Sequence, residues 1–208
     1  MLFRSNVSRD LSEVIRIASC PAFREYEGRM LVDIAQEEGV DVTDMVVKIL
    51  TAPKGDRTLC IHFIIDESDV ETNLAWRDMM VGSDGIPDLN GRPHPRLFGT
   101  FPRVLGHYVR ELSTLPLHTA LYKMTGMPAD RIGLARRGRM VPDAVADLVV
   151  FDPDTITDRA TFADPHRYAE GVRHVFVAGE AVLLSERMTG ARPGRILRSA
   201  SYAPASQP

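Results

Sequence analysis

Apolar residues recur every three to four positions through 29–38, where Met30, Leu31, Ile34 and Ala35 share one face, and this spacing predicts an amphipathic helix. A second helix is expected to start within 41–44. Val42, Met45, Val46, Ile49 and Leu50 carry it until Pro53-Lys54-Gly55 stops it. Before this pair, 14–18 (Val-Ile-Arg-Ile-Ala) reads as a short strand. After it, 59–65 (Leu-Cys-Ile-His-Phe-Ile-Ile) reads as another, and 66–70 as a capped entry into a helix ending near Arg77.

The next segment, Met79-Met80-Val81-Gly82-Ser83-Asp84-Gly85, predicts a buried parallel strand that ends at a carboxylate. The glycines on either side of Ser83-Asp84 allow a sharp turn there. The carboxyl end of a parallel strand is where barrel and open α/β enzymes keep their chemistry. A long loop rich in Gly and Pro, 85–97, contains His94 and Arg96. Helices are expected over 102–112 and 116–124, with a short third from Pro128; Gly126 is read as a left-handed cap. From Arg136 the pattern changes to short strands, 146–153 and 172–183, the latter a hairpin turning at Ala178-Gly179-Glu180. This β module of roughly 60 residues is small for independent stability. Residues 199–208 read as a flexible tail.

Composition narrows the classes. Of 208 residues 44% are hydrophobic and 25% charged, which is ordinary for a folded protein. A formal net charge of -3, from 25 basic and 28 acidic residues, gives no electrostatic case for nucleic acid or an anionic membrane. Cys20 and Cys60 are the two cysteines, too few for a disulfide framework or a Cys-rich zinc module. No apolar run approaches the roughly 20 residues of a membrane span, and the start lacks a secretory signal, so a cytoplasmic location is expected.

Five stretches carry a resemblance: Gly82-Ser83-Asp84-Gly85; His94-Pro95-Arg96-Leu97-Phe98-Gly99-Thr100-Phe101-Pro102-Arg103-Val104-Leu105-Gly106; Lys123-Met124-Thr125-Gly126-Met127-Pro128-Ala129; Ala146-Asp147-Leu148-Val149-Val150-Phe151-Asp152-Pro153; and Thr189-Gly190-Ala191-Arg192-Pro193-Gly194-Arg195. Together they resemble the N-acyl-D-amino-acid deacylases (D-aminoacylases) of the amidohydrolase superfamily, over nearly the whole chain. The resemblance implies an α/β fold: the C-terminal part of a metal-dependent (β/α)₈ barrel with an insertion, plus the C-terminal segment of a small β-sandwich. Residues 1–135 would belong to the barrel, with the insertion at about 1–57, and 136–198 to the sandwich. It implies hydrolysis of a small-molecule N-acyl-D-amino acid to a carboxylate and a D-amino acid. It also implies zinc, on a His-x-His pair, a bridging Cys or Glu and two later histidines, none of which is in this chain. A full barrel of about 250 residues cannot be built from this polypeptide alone. Partners implied are therefore a missing N-terminal part or self-association, and the isolated chain is expected to be inactive.

Amide hydrolysis needs a group that takes a proton from water and returns one to the departing nitrogen, and one carboxylate can do both. The resemblance gives this role to Asp84; the competing reading is an Asp that caps the turn after a strand. Arg96 is given the substrate's α-carboxylate, which a guanidinium can hold bidentately; it could equally bridge to a nearby carboxylate. His94 is read as structural. His62 is read as a structural strand histidine and Cys60, on the same strand, as a buried core thiol; His107, His118, His166 and His174 lack ligand spacing, so no metal residue is assigned. Phe98, Phe101, Val104, Leu105 and Tyr108 are read as core contacts, and Arg136, Arg137 and Arg139 as a solvated turn. The rival to a deacylase is a non-catalytic remnant or partner-dependent interaction fragment. A third reading, a hydantoinase or dihydroorotase relative, fits the 96–106 stretch less well.

Overall fold

The computed structural model describes residues 11–88 and 90–197, which fall into two compact units. The expected tail at 199–208 lies outside the described residues.

The first unit comprises residues up to 73, 83–100 and 158–168. Its strands β1 (Ile15–Ser19) and β2 (Leu59–His62) pair antiparallel, Arg16 opposite Ile61 and Ile17 opposite Cys60, with a register shift before Ser19 and Leu59. Helices α1 (Leu31–Glu38) and α2 (Val42–Thr51) connect them, and α3 (Glu67–Ala75) follows β2. The α1 face expected from periodicity is the buried one. Ile17, Cys20, Tyr26, Leu31, Ile34, Ala35, Met45 and Ile49 form one core, each large side chain contributing roughly 1.5–3 kcal/mol by leaving water. Helix ends follow local chemistry: Gly39 takes φ 68° after α1, and the Asp41 side chain accepts the Thr43 N–H at the start of α2. Tyr26 donates to Glu38 at 2.7 Å, and Lys48 donates to both, tying α1 to α2. That core gathers on β1 and takes nothing from β2, so Cys60 is exposed, against the expected buried thiol, and His62 is exposed beside it.

The second unit comprises 74–82, 101–157 and the chain from 169. Its strands β3 (Leu148–Phe151), β4 (Val172–Val177), β5 (Glu180–Leu184) and β6 (Arg187–Met188) form a four-stranded antiparallel sheet in sequence order. The hairpin turns at Ala178 and Gly179, φ 52° and 84°, the paired positive angles that fit a two-residue turn to strand twist. The Asp147 carboxylate accepts the Ala178 N–H at 2.8 Å and also pairs with Arg137. Arg139 pairs with Asp130 and Arg136 donates to the Asp143 carbonyl, so the basic cluster is partnered side chain by side chain.

Three helical expectations change. Helix α4 (Arg96–Arg103) begins before Pro102 and contains it; the chain then widens into a π-helix, Val104–Glu111. Proline cannot donate a helix hydrogen bond and crowds the preceding turn, a common cause of such a departure from regular geometry. In this stretch Val104, Leu105 and Tyr108 are buried, whereas Phe101 is exposed. Helix α5 (Leu117–Met124) is followed at once by α6 (Gly126–Arg131), so Gly126 opens a helix and is not a left-handed cap. A Cβ there would stand 2.9 Å from the Tyr122 ring, so close approach explains this glycine.

Finally, 79–84 is not a strand. It joins neither sheet among the described residues and so has no ladder partner; an apolar run becomes a strand only where another strand receives its hydrogen bonds. Lys123 receives it instead. Buried at 2% exposure, Lys123 donates its ammonium to the carbonyls of Trp76 and Met79, and its own carbonyl accepts the Val81 N–H at 3.1 Å. Burial pulls the Lys123 pKa below its ordinary value.

Candidate active site

Asp84 and Arg96 meet. The Asp84 carboxylate lies 2.7 Å from the Arg96 guanidinium. The Asp84 side chain is 79% exposed and that of Arg96 38%, so the pair is open to water and contributes at most about 1 kcal/mol. Asp84 does not cap the turn; Ser83 accepts the Gly85 N–H. Asp84 takes φ 45°, a left-handed conformation that aspartate tolerates better than most residues. Its carboxylate is thus set out from the backbone and held by one cation.

Arg96 starts α4, and its approach is fixed by two side chains. Asp88 accepts the Asn90 and Gly91 N–H groups, both at 3.0 Å; burial pushes the Asp88 pKa up, but these N–H groups hold it below the usual carboxylate range. Gly91 lets the loop press against β1, where Arg92 donates its N–H to the Ala18 carbonyl at 2.6 Å. A Cβ on Gly91 would stand 2.5 Å from the Asp88 carboxylate and 2.8 Å from the Ala18 carbonyl. Gly91→Ala is therefore expected to destabilise the protein by about 1–3 kcal/mol; a urea midpoint equal to that of the unmodified chain would show that the loop gives way without cost.

His94 accepts the Arg96 N–H on Nδ1 at 3.0 Å and packs edge-on against Phe162, 5.0 Å between ring centres. It is structural, as expected from sequence, and the acceptor role requires Nδ1 to be unprotonated. Burial first, and the Arg96 charge second, lower its pKa to about 4, opposed by Asp84. The pH dependence has a definite sign. Between about 4 and the ordinary value of 6.5 the unfolded chain binds a proton at His94 that the native chain refuses, so the contribution of His94 to stability falls as pH drops through this window and does not change above it. An NMR titration of the His94 ring should give a midpoint near 4, with faster exchange of the Arg96 amide below it; a midpoint near 6.5 would remove the argument.

Aromatic rings extend from His94. Phe162 lies 4.8 Å from Phe63, and the Arg16 guanidinium sits over both, 5.3 Å from the Phe63 ring centre and 5.6 Å from that of Phe162. Sequence reasoning missed Arg16 and Asp88. The Asx-turn run at 88–91 was a legible signal for Asp88; Arg16 had none, because its surroundings come from distant segments.

Residues fit for a metal are not among those described: no group of three or more His, Cys, Asp or Glu side chains is placed to hold one. His94 gives its Nδ1 lone pair to a backbone N–H, and Asp84 faces a guanidinium.

Residues 75–183, more than half of the chain, match the model of the amidohydrolase family. The chain belongs to that family. This amidohydrolase is 48% identical over 181 residues to the D-aminoacylase of Alcaligenes xylosoxydans xylosoxydans, covering 87% of this chain and 36% of that protein. It is 43% identical over 189 residues to the N-acyl-D-glutamate deacylase of the same organism, 91% of this chain and 37% of that protein. Its fold matches the crystal structure of N-acyl-D-glutamate deacylase from Bordetella bronchiseptica, complexed with zinc and a phosphonate mimic of the tetrahedral intermediate, with TM-score 0.81 and 41% identity over 90% of this chain and 38% of that one. The fold is thus an amidohydrolase fold, and the chain spans less than two fifths of the length of these relatives. No helix among the described residues is long and apolar enough to cross a membrane.

Proposed function

We propose that this chain carries the proton-transfer and carboxylate-binding part of an N-acyl-D-amino-acid deacylase. The observation that supports the reading best is the pairing of Asp84 with Arg96 across the eleven residues 85–95, in an amidohydrolase whose relatives are named for removing acyl groups from D-amino acids. Asp84 takes the proton of the attacking water and returns it to the amide nitrogen, which cannot leave as an anion. Arg96 holds the substrate's α-carboxylate in two parallel hydrogen bonds. The ion pair gives the order: a carboxylate arriving on Arg96 competes with Asp84 and frees it to face the water. No zinc step is assigned to this chain, since its described residues do not fit the metal.

In this reading 1–135 form the C-terminal part of the barrel, with an insertion at about 1–57 built on the core around Ile34 and Met45, and 136–198 form the sandwich segment built on the four-stranded sheet. The small-molecule substrate is an N-acyl-D-amino acid. The test replaces the matching segment of the Alcaligenes D-aminoacylase with this 208-residue chain and measures release of D-amino acid with zinc present. Turnover in the hybrid, and none from the chain alone, is the expected result; a hybrid that folds, binds zinc and does not turn over would overturn the proposal.

A further inference from the structure

Lys123 stands in the last turn of α5, where helix carbonyls run out of intrahelical partners. Its own carbonyl accepts the Val81 N–H at 3.1 Å. Its ammonium donates to the carbonyls of Trp76 and, at 3.2 Å, of Met79, although the residue is only 2% exposed. Folded proteins rarely bury lysine so completely, because an ammonium loses much of its hydration on the way in. A methionine would fill the same space without that cost. What methionine cannot do is donate to main-chain carbonyls, and those of 76–81 belong to a segment that joins neither sheet among the described residues. The buried charge thus does one thing that packing alone does not: it fixes the course of this backbone.

That backbone leads to Asp84. Val81 is gripped by α5, Gly82 follows, and the Ser83 side chain then accepts the Gly85 N–H at 3.3 Å, closing a turn around Asp84. Three residues of chain reach at most about 11 Å, so a shift at Met79 or Val81 is passed on to a carboxylate with little slack in between. Arg96 has a mount of its own, since His94 holds its amide. We propose that Lys123 is a positioning residue for the proton-transfer step: by holding Trp76, Met79 and Val81 it sets where the Asp84 carboxylate stands, and it acts through Asp84 alone. This rests on the role proposed for Asp84.

Steady-state kinetics of the zinc-loaded hybrid deacylase test this. Lys123→Met should lower kcat on the order of 10- to 100-fold, the range for an ångström-scale misplacement of a reacting group, and leave KM within about twofold, because Arg96 keeps its mount. Lys123→Gln, a shorter neutral donor, should recover part of the loss and serves if the methionine variant does not fold. The decisive measurement adds Asp84→Asn. In that background Lys123→Met should lower kcat by less than about twofold further, since a residue that acts through Asp84 has nothing left to position. A lysine that merely stabilised the fold would give losses that multiply, with KM rising as well. Multiplying losses, a folded Lys123→Met enzyme with kcat within about threefold of the parent, or two lysine variants that both fail to fold would overturn the inference and leave the Asp84 reading standing. Asp84→Asn with unchanged kcat would overturn both.

Discussion

Asp84→Asn in the hybrid deacylase is expected to lower kcat by about 10²- to 10⁴-fold, the range for loss of a general acid–base group, with KM unchanged or lower. The asymmetry comes from the ion pair. Asparagine is isosteric with aspartate, and the side chain is largely exposed, so the fold has no reason to change. What changes is charge: the amide cannot accept a proton from water, and it no longer competes with substrate for the Arg96 guanidinium 2.7 Å away. A structural Asp84 that merely stabilised its loop would give another pattern, a KM raised through a displaced Arg96 with a smaller effect on kcat. Steady-state rates over a range of N-acetyl-D-amino acid concentrations separate the two; kcat within about threefold of the parent would remove Asp84 from the chemistry.

The parts of this molecule that were legible in sequence are those decided locally. The buried face of α1, the start of α2 within 41–44 and the Ala178-Gly179 turn each depend on residues within a few positions, and each is found where pattern and turn chemistry put it, whereas Leu50, expected on the apolar face of α2, is exposed. Segment 79–84 reads as a strand because Met79, Met80 and Val81 suit one, yet a strand needs a neighbour, and the buried Lys123 takes up its polar groups instead. Pro102 marked a helix start in sequence but lies near the end of α4, because the Arg96 amide is already held by His94. Asp84 and Arg96 were legible as candidates and not as a pair: contact across a loop depends on the positive φ at Asp84 and on the Gly91 approach to β1, neither of which leaves a periodic trace. Cys60 misled for a related reason, since burial on a two-stranded ribbon depends on which strand the helices cover.

Arg96→Met should chiefly raise KM. A bidentate guanidinium–carboxylate contact corresponds to about 1.5–3 kcal/mol, so KM in the hybrid is expected to rise on the order of 10- to 100-fold, with a smaller fall in kcat from looser orientation of the amide. Arg96→Lys keeps the charge but not the fork and should recover only part of the loss. The competing reading, an arginine that simply bridges to Asp84, predicts something else: an exposed ion pair contributes at most about 1 kcal/mol, so Arg96→Met would shift stability slightly and leave KM alone. A substrate without the α-carboxylate, the N-acetyl-D-amino acid amide, decides between them. Against that compound the parent hybrid should lose about the same factor that Arg96→Met loses against the acid, and the variant should lose little more, because each change removes one side of a single contact. If the two losses add, Arg96 and the α-carboxylate do not meet, and the guanidinium serves only to hold Asp84 in place.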